Sequence, residues 1–394
     1  MDFSFKPETI KLREEVRKFF DKEWPKENRN WRGWEQPDAP AFLVEQEKLY
    51  DKLRPHKWVG MSYPKEYGGM ERPLEEHYIF HQELLRANAA NLRTGCAVLL
   101  GPVILRHGTE EQKKRFNVAL AEGRLGLCLG YSEPNAGSDL ASLQLRAVRE
   151  GDHYIINGSK IYTTNAHIVE RCFLLARTDP KVPKHKGISL FVVDMKTPGI
   201  TIRPIHCMGD VRTNETFWDN VKVPVTDRLG EEGMGWRIVA TALDYERLWV
   251  YNTIWVRKLY DDLVTYIKTT DHDGYRPRED PDIRSKVAQI NIDLEVCQVM
   301  EYRILAMLSE GKVPYAEASM LKVWASELYQ RMTDTFTQAL GPYIQLAQGE
   351  PGSPLDGGLV QQHESSIGAT FLAGGSEIQR TIIANAGLQL PAGP

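Results

Sequence analysis

The hydrophobic period of this chain changes twice, and that double change limits the fold more than any other feature. Residues 1–123 repeat apolar side chains at helical spacing: "ETIKLREEVRKFFDKEW" sets Ile10, Val16, Phe19 and Phe20 near one face. "LEEHYIFHQELLRAN" and "TEEQKKRFNVALAEG" continue the pattern, the second with Thr109 and Gln112 spaced as a capping box. From 124 to 235 the period falls to two. There "DHYIINGSKIYTT" reads as two strand-like runs joined by Asn157-Gly158, a hairpin signal because both residues tolerate positive φ. "RCFLLART", "KGISLFVVD" and "GITIRPI" follow with no helix between them, so this region is expected to form an antiparallel barrel or sandwich. From 236 to 394 helical periodicity returns, interrupted by "QGEPGSPLDGG" (348–358), which reads as a surface loop. The expected class is therefore α+β in three domains, 1–123, 124–235 and 236–394.

Composition removes several functions. With 394 residues, 42% of them hydrophobic and 26% charged, the chain can bury the large core that two or three domains need. Its 49 basic and 53 acidic residues give a net charge of −4 and no basic run, so nucleic acid is not an expected partner. The N-terminus lacks the apolar core of a signal peptide, and no 18 consecutive apolar residues occur, so no membrane span is expected. Five scattered cysteines (Cys96, Cys128, Cys172, Cys207, Cys297) form no CxxC pair. They read as small buried hydrophobes of a reducing, cytoplasmic setting. The ten histidines form no helix-spaced pair such as HExxH, and no metal is implied. A Walker loop and a GxSxG elbow are absent, and the glycines of "GEEGMGW" follow no strand of a βαβ unit.

Two local patterns carry chemistry. "LCLGYSEPNAGSDLASL" (127–143) packs Ser132, Glu133, Pro134, Asn135, Gly137, Ser138 and Asp139 into one loop, more turn-formers than a plain turn requires. Such a loop presents N–H and O–H groups to an anion or a ring edge. Thirty residues on, Tyr162, Thr163 and Thr164 offer an aromatic face and two hydroxyls, which suits a flat heteroaromatic ring. The same residues also suit a loop and an amphipathic strand with nothing bound. In "WRIVATALDYERLWVY", Glu246 falls on the apolar stripe of Val239, Ala242, Leu243 and Val250. A carboxylate facing a core needs a partner or a cavity. Either Arg247 pairs with it, or burial raises its pKa as a general base requires.

Together these stretches resemble the acyl-CoA dehydrogenase family over nearly the whole chain. "GYSEPNAGSDLAS" is similar to the family's first signature, "NGSKIYTTNA" to the strand beside its flavin, and "GGSEIQRTIIAN" to its C-terminal signature. The resemblance implies helical, β and four-helix-bundle domains in that order, with FAD between the last two. It implies α,β-desaturation of an acyl-CoA thioester, with electrons passed to electron-transfer flavoprotein. An oxidase would share every motif, as would a subunit that only completes a neighbour's FAD site. Carried over, Leu129, Tyr131, Ser132, Tyr162 and Thr164 would hold the flavin, while Gln338, Gly341, Gly375 and Glu377 would hold the rest of FAD. Ser138, Asp244 and Arg247 would touch the CoA arm.

Three departures from the family pattern matter. Many members place the base just before the C-terminal signature, where this chain has Ala373; a minority place it on the helix that here carries Glu246. The resemblance thus makes Glu246 the base and leaves Ala373 a backbone N–H for the thioester oxygen. Thr270 and Asp273 stand where many members have an Arg and a Phe that hold FAD from a neighbouring subunit, and Gly375 replaces a usual Thr. Gln338 and Gly341 match the cross-subunit adenine site, so a homo-oligomer or an α2β2 assembly with a paralogous subunit is expected. The set most resembles bacterial enzymes for bulky, branched, alicyclic or steroid side-chain acyl-CoAs.

Overall fold

The computed structural model describes residues 4–24, 40–89, 92–250, 253–271, 274–346 and 350–391, with the side chains of 244–250 outside that description. The N-terminal helices are α1 (Pro7–Glu23), α2 (Pro40–Leu53), α3 (Leu74–Arg86) and α4 (Leu92–His107). After them α5 (Glu110–Gln112) and α6 (Val118–Ala121) are joined by a π-helical turn, Lys113–Asn117. The buried face of α1 is Leu12, Val16 and Phe20, spaced by four. Ile10, expected on that face, is 47% exposed, because two residues before Leu12 is about 200° around the helix. The capping box forms as expected: Gln112 N–H donates to Thr109 Oγ1 (3.3 Å) and Thr109 N–H to Gln112 Oε1 (3.0 Å).

The histidine expectation needs correction. His77 and His81 are one turn apart on α3, and both are buried. His77 bonds Ser62 Oγ (2.8 Å) and Val59 O (3.0 Å). Burial pushes the His77 pKa down to about 4 and that of His81 to about 3, so both rings are neutral core residues at neutral pH. Among the described residues no group of metal-ligating side chains occurs.

Eight strands follow: β1 (Leu127–Gly130), β2 (Arg146–Glu150), β3 (His153–Lys160), β4 (Arg171–Arg177), β5 (Ile188–Asp194), β6 (Ile200–His206), β7 (Arg212–Pro224) and β8 (Arg228–Leu229). Their order is β6-β7-β3-β2-β4-β5-β8, with β1 on β4. Pairing is antiparallel except that β1, and β2 at Arg146, lie parallel to β4. The expected hairpin turn at Asn157-Gly158 is absent. β3 runs straight through it with a bulge against β7, and the β2–β3 hairpin closes instead between Glu150 and His153. Gly158 (φ +137°) serves the bulge, and Asn157 Oδ1 accepts the Asn220 N–H (2.8 Å). Two ladders, one on each side, outweigh a local turn preference. Tyr162–Thr164 consequently lie beyond the end of β3, not on a second hairpin strand.

Alternation sends Tyr154, Ile156, Cys172, Leu174, Phe191 and Trp218 into the β interior. Phe173, Leu175, Leu190 and Val192 face the other way, onto the N-terminal helices and onto Ile238, Val239 and Ala242. Those last three belong to α7 (Gly235–Val250), the first C-terminal helix. After it come α8 (Ile254–Thr269), α9 (Pro281–Ser309), α10 (Tyr315–Leu340), α11 (Gly358–Ala369) and α12 (Ser376–Ile382). α10 is central, and its Leu321, Leu328, Met332 and Phe336 are fully buried. Asp280 caps α9 by accepting the N–H of Asp282 (2.9 Å) and Ile283 (3.3 Å). The turn Met208–Asp210 docks on α11, where the Gly209 N–H meets Glu364 Oε2 (2.8 Å). All five cysteines are free; four are buried as expected, but Cys207 is exposed. Among the described residues no helix is long and apolar enough to cross a membrane.

Candidate active site

One wall of the site is built where β1 ends. Tyr131, Ser132 and Glu133 leave the sheet beside the end of β3, and the Ile161 N–H donates to Ser132 O (2.9 Å). Beneath them Lys160 is completely buried; its Nζ donates to Tyr131 O (2.9 Å) and to Glu133 Oε1 (2.8 Å). Burial pulls the Lys160 pKa down to about 8, and the Glu133 carboxylate opposes that pull. Glu133 also accepts the N–H groups of Gln144 (2.6 Å) and Leu145 (2.8 Å). Sequence reasoning passed over Lys160, although it stands two and three alternations after the inward-facing Ile156 and Tyr154. A lysine at an inward position is the signal that could have found it.

Beyond Lys160 the chain turns sharply. Tyr162 and Asn165 hold left-handed φ of 58° and 65°, and the Tyr162 side chain is 58% exposed. A non-glycine residue in this region costs about 1–3 kcal/mol, so the surroundings must enforce it. Asn214 does so: its carbonyl accepts the Thr163 N–H (2.8 Å) and its Nδ2 donates to Thr163 O (3.0 Å). Thr164 Oγ1 lies 3.1 Å from Thr213 Oγ1. Thr163 Oγ1 and Asn165 Oδ1 are buried with no hydrogen-bond partner among the described residues. Unpaired buried oxygens beside an exposed aromatic ring are what a flat heteroaromatic ligand with polar edges would satisfy.

The second wall is the turn between α11 and α12. Thr370 O accepts from Lys322 Nζ (2.8 Å), from the Ser376 N–H (2.8 Å) and from Ser376 Oγ (3.1 Å). Lys322 is buried, which lowers its pKa to about 8 against the raising effect of Glu377 and Glu327. Ala373 holds φ of 50°, and among the described residues nothing accepts its N–H. Gly374 sits at φ +87°, a backbone conformation that strains any L side chain, and a Cβ there would also have to displace the Gln379 amide, 2.5 Å away. Gln379 Oε1 is a further buried acceptor with no partner among the described residues. Gly375 caps α12 with its backbone, and Glu377 is exposed on the first turn.

The remaining predicted residues do not gather at one point. Leu129 is half-buried on β1 and Tyr131 is buried. Ser138 is exposed beside Asp139, whose carboxyl Lys184 (2.7 Å) holds below the usual range. Gln338 is exposed and accepts from Lys286 (3.0 Å); Gly341 ends α10 at φ of 53°. Sixteen residues separate Gln338 from Lys322, about 24 Å along α10. Within one chain, therefore, Gln338 and Gly341 lie far from the α11–α12 turn. Thr270 caps α8, its Oγ1 donating to Tyr266 O (2.7 Å), while Asp273 lies outside the described residues. The side chains of Asp244, Glu246 and Arg247 also lie outside them, although α7 spans all three positions. A recess of about 470 Å³ lined by Lys18, Phe19, His56 and Trp58 sits on the N-terminal helices and includes none of these residues.

Comparison with known proteins finds the same three-part architecture. Family models for the N-terminal, middle and C-terminal domains of acyl-CoA dehydrogenase match residues 6–124, 128–221 and 233–388. The acyl-CoA dehydrogenase FadE29 of Mycobacterium tuberculosis is 32% identical over 98% of both chains. The chain belongs to the acyl-CoA dehydrogenase family. Among solved structures it resembles the Tcur3481-Tcur3483 steroid acyl-CoA dehydrogenase, with a TM-score of 0.90, 31% identity and 100% of both chains covered. It also resembles a chain of the ChsE4-ChsE5 complex from Mycobacterium tuberculosis, with a TM-score of 0.88, 31% identity and full coverage of both chains. Acyl-CoA dehydrogenases are FAD-dependent oxidoreductases, and the unpaired acceptors along Thr163 and Asn165 suit that cofactor.

Proposed function

We propose that this acyl-CoA dehydrogenase desaturates a bulky acyl-CoA, branched, alicyclic or steroid-derived, with Glu246 as the α-proton acceptor. The observation that carries the reading is at position 373. A side chain that cannot take a proton stands on the α11–α12 turn, while α7 carries a carboxylate one turn past the buried Ala242 and two past Val239. Glu246 takes the α-proton of the thioester, and the Ala373 N–H, which no described residue engages, polarises the thioester oxygen. FAD, when bound, would supply the acceptor for the β-hydride. Ser132, Tyr162 and Thr164 hold the ring of that cofactor, with Leu129 and Tyr131 behind it; Gly375 and Glu377 hold its remainder. Ser138, Asp244 and Arg247 orient the CoA arm. The likeness to a steroid acyl-CoA dehydrogenase supports a bulky substrate, as does a base on α7 together with a small side chain at 373.

The same reading makes the active form an oligomer in which electrons pass to an electron-transfer flavoprotein. Gln338, about 24 Å from Lys322 along α10, and Gly341 just past its end would serve the FAD of a second copy or of a paralogous subunit. The exposed apolar stripe Ile292, Val296 and Val299 on α9, with Met320 and Trp324 on α10, supports assembly. The domain division at 123/124 and 235/236 and the buried free thiols of a cytoplasmic setting complete the proposal. Anaerobic mixing with an acyl-CoA tests the core of it. Glu246→Gln should keep FAD and fold while flavin reduction slows by about 10² to 10⁴. Reduction at the wild-type rate would place the base elsewhere.

A further inference from the structure

Residues 131–145 contain both Ser132 and Ser138, and one buried ion pair touches this loop at four points. Lys160 Nζ donates to the carbonyl just before Ser132 and to the carboxylate just after it, at 2.9 and 2.8 Å. The other bonds of that carboxylate go to the N–H groups of Gln144 and Leu145, where the loop rejoins β2. The Ser132 carbonyl is taken by Ile161, next to Tyr162, and Glu133 closes a tight turn through two backbone bonds with Ala136, both 3.0 Å. Ser132 is thus straddled by two contacts to the same ammonium group, while no described residue takes its own hydroxyl. A fold alone does not require this. Apolar residues of similar volume can replace a buried pair at little or no loss of stability. What the charges add is position: each oxygen and each N–H of the pair defines one point of the loop.

We propose that Glu133 and Lys160 are positioning residues that set the Ser132 hydroxyl against the flavin ring and anchor the stretch that carries Ser138. The pair couples the cofactor edge and the thioester edge through a single loop. This inference rests on Ser132 being a flavin contact, as proposed above.

A double-mutant cycle on the assembled holoenzyme tests it. The thermal midpoint is measured, and FAD release is followed by flavin fluorescence after dilution. Glu133→Gln/Lys160→Met removes both charges and leaves no buried ion alone, so the midpoint should stay near wild type. FAD release should quicken by about tenfold, the value of one lost hydrogen bond to the ring. Adding Ser132→Ala to that variant should change release no further, because the hydroxyl is already displaced. If Ser132→Ala alone quickens release and the pair variant does not, or if the two effects simply add, the pair is structural and the inference is overturned. If the doubly neutral variant fails to fold, Glu133→Gln alone takes its place, with additivity against Ser132→Ala again the overturning result. A Ser132→Ala enzyme with wild-type release and an unchanged visible spectrum would instead overturn the assignment of Ser132 itself.

Discussion

The β wall and the C-terminal wall of the site each rest on a buried lysine, yet they are finished to different degrees. On the β side, Lys160 meets a carboxylate and a carbonyl, and that carboxylate meets two further backbone N–H groups. Every part of that wall comes from one chain. On the C-terminal side, Lys322 meets Thr370 O, and the predicted cofactor residues split between the α11–α12 turn and the far end of α10. A chain can complete the first wall by folding. On the proposed reading the second needs another surface, and the solvent-facing Gln338 and the exposed apolar stripe on α9 fit that need.

The largest contrast should be in stability. Lys160→Met strands a buried carboxylate and should cost about 3–5 kcal/mol in denaturant unfolding. Lys322→Met leaves Thr370 O with both Ser376 donors and should cost about 1–3 kcal/mol. Equal losses would break the comparison. A second contrast concerns pH. The folded pKa of Lys160, about 8, lies below its ordinary 10.5, so between these values the unfolded chain binds a proton that the folded chain does not. The associated stability is present above pH 10.5 and is lost as pH falls through 8. Against Glu133→Gln/Lys160→Met, which lacks this group, wild type should lose about 3 kcal/mol over that window. The smallest effect belongs to Gln338→Ala. It should leave the thermal midpoint of the chain alone, since the side chain is exposed, but lower FAD retention of the assembled protein by about tenfold. Full retention and activity in a species that sediments as a monomer would remove the cross-subunit reading.

Much of the fold was legible because long periodic segments state their own period. The α3 helix, the capping box at Thr109 and the strands from Arg171 to His206 all lie where the pattern put them. Local signals did worse where tertiary pairing competed. Asn157-Gly158 favours a turn, but two neighbouring ladders hold β3 extended and turn the pair into a bulge. Ile10 has the right chemistry for the core and the wrong angle on α1. His77 and His81 are one helical turn apart, and burial rather than metal explains them. The candidate loops stood out in the sequence through their hydroxyls and glycines. Their support did not, because a buried lysine and an asparagine that braces Thr163 announce themselves only once the strands are paired.

The left-handed backbone at Ala373 has an evolutionary consequence. Any L-residue placed there must leave the chain along the direction that the α11–α12 turn dictates, since Lys322 and Ser376 fix the turn from Thr370 onward. The identity of the side chain and the path of the backbone are therefore inherited separately. If Glu246 is the base, as proposed, position 373 can do without a carboxylate and α7 can supply it with no remodelling of the turn. The backbone toll of about 1–2 kcal/mol for left-handed φ is much the same for either occupant. Moving the proton acceptor between two walls is then a matter of single substitutions on an unchanged frame, and the space vacated at 373 is where substrate shape can drift.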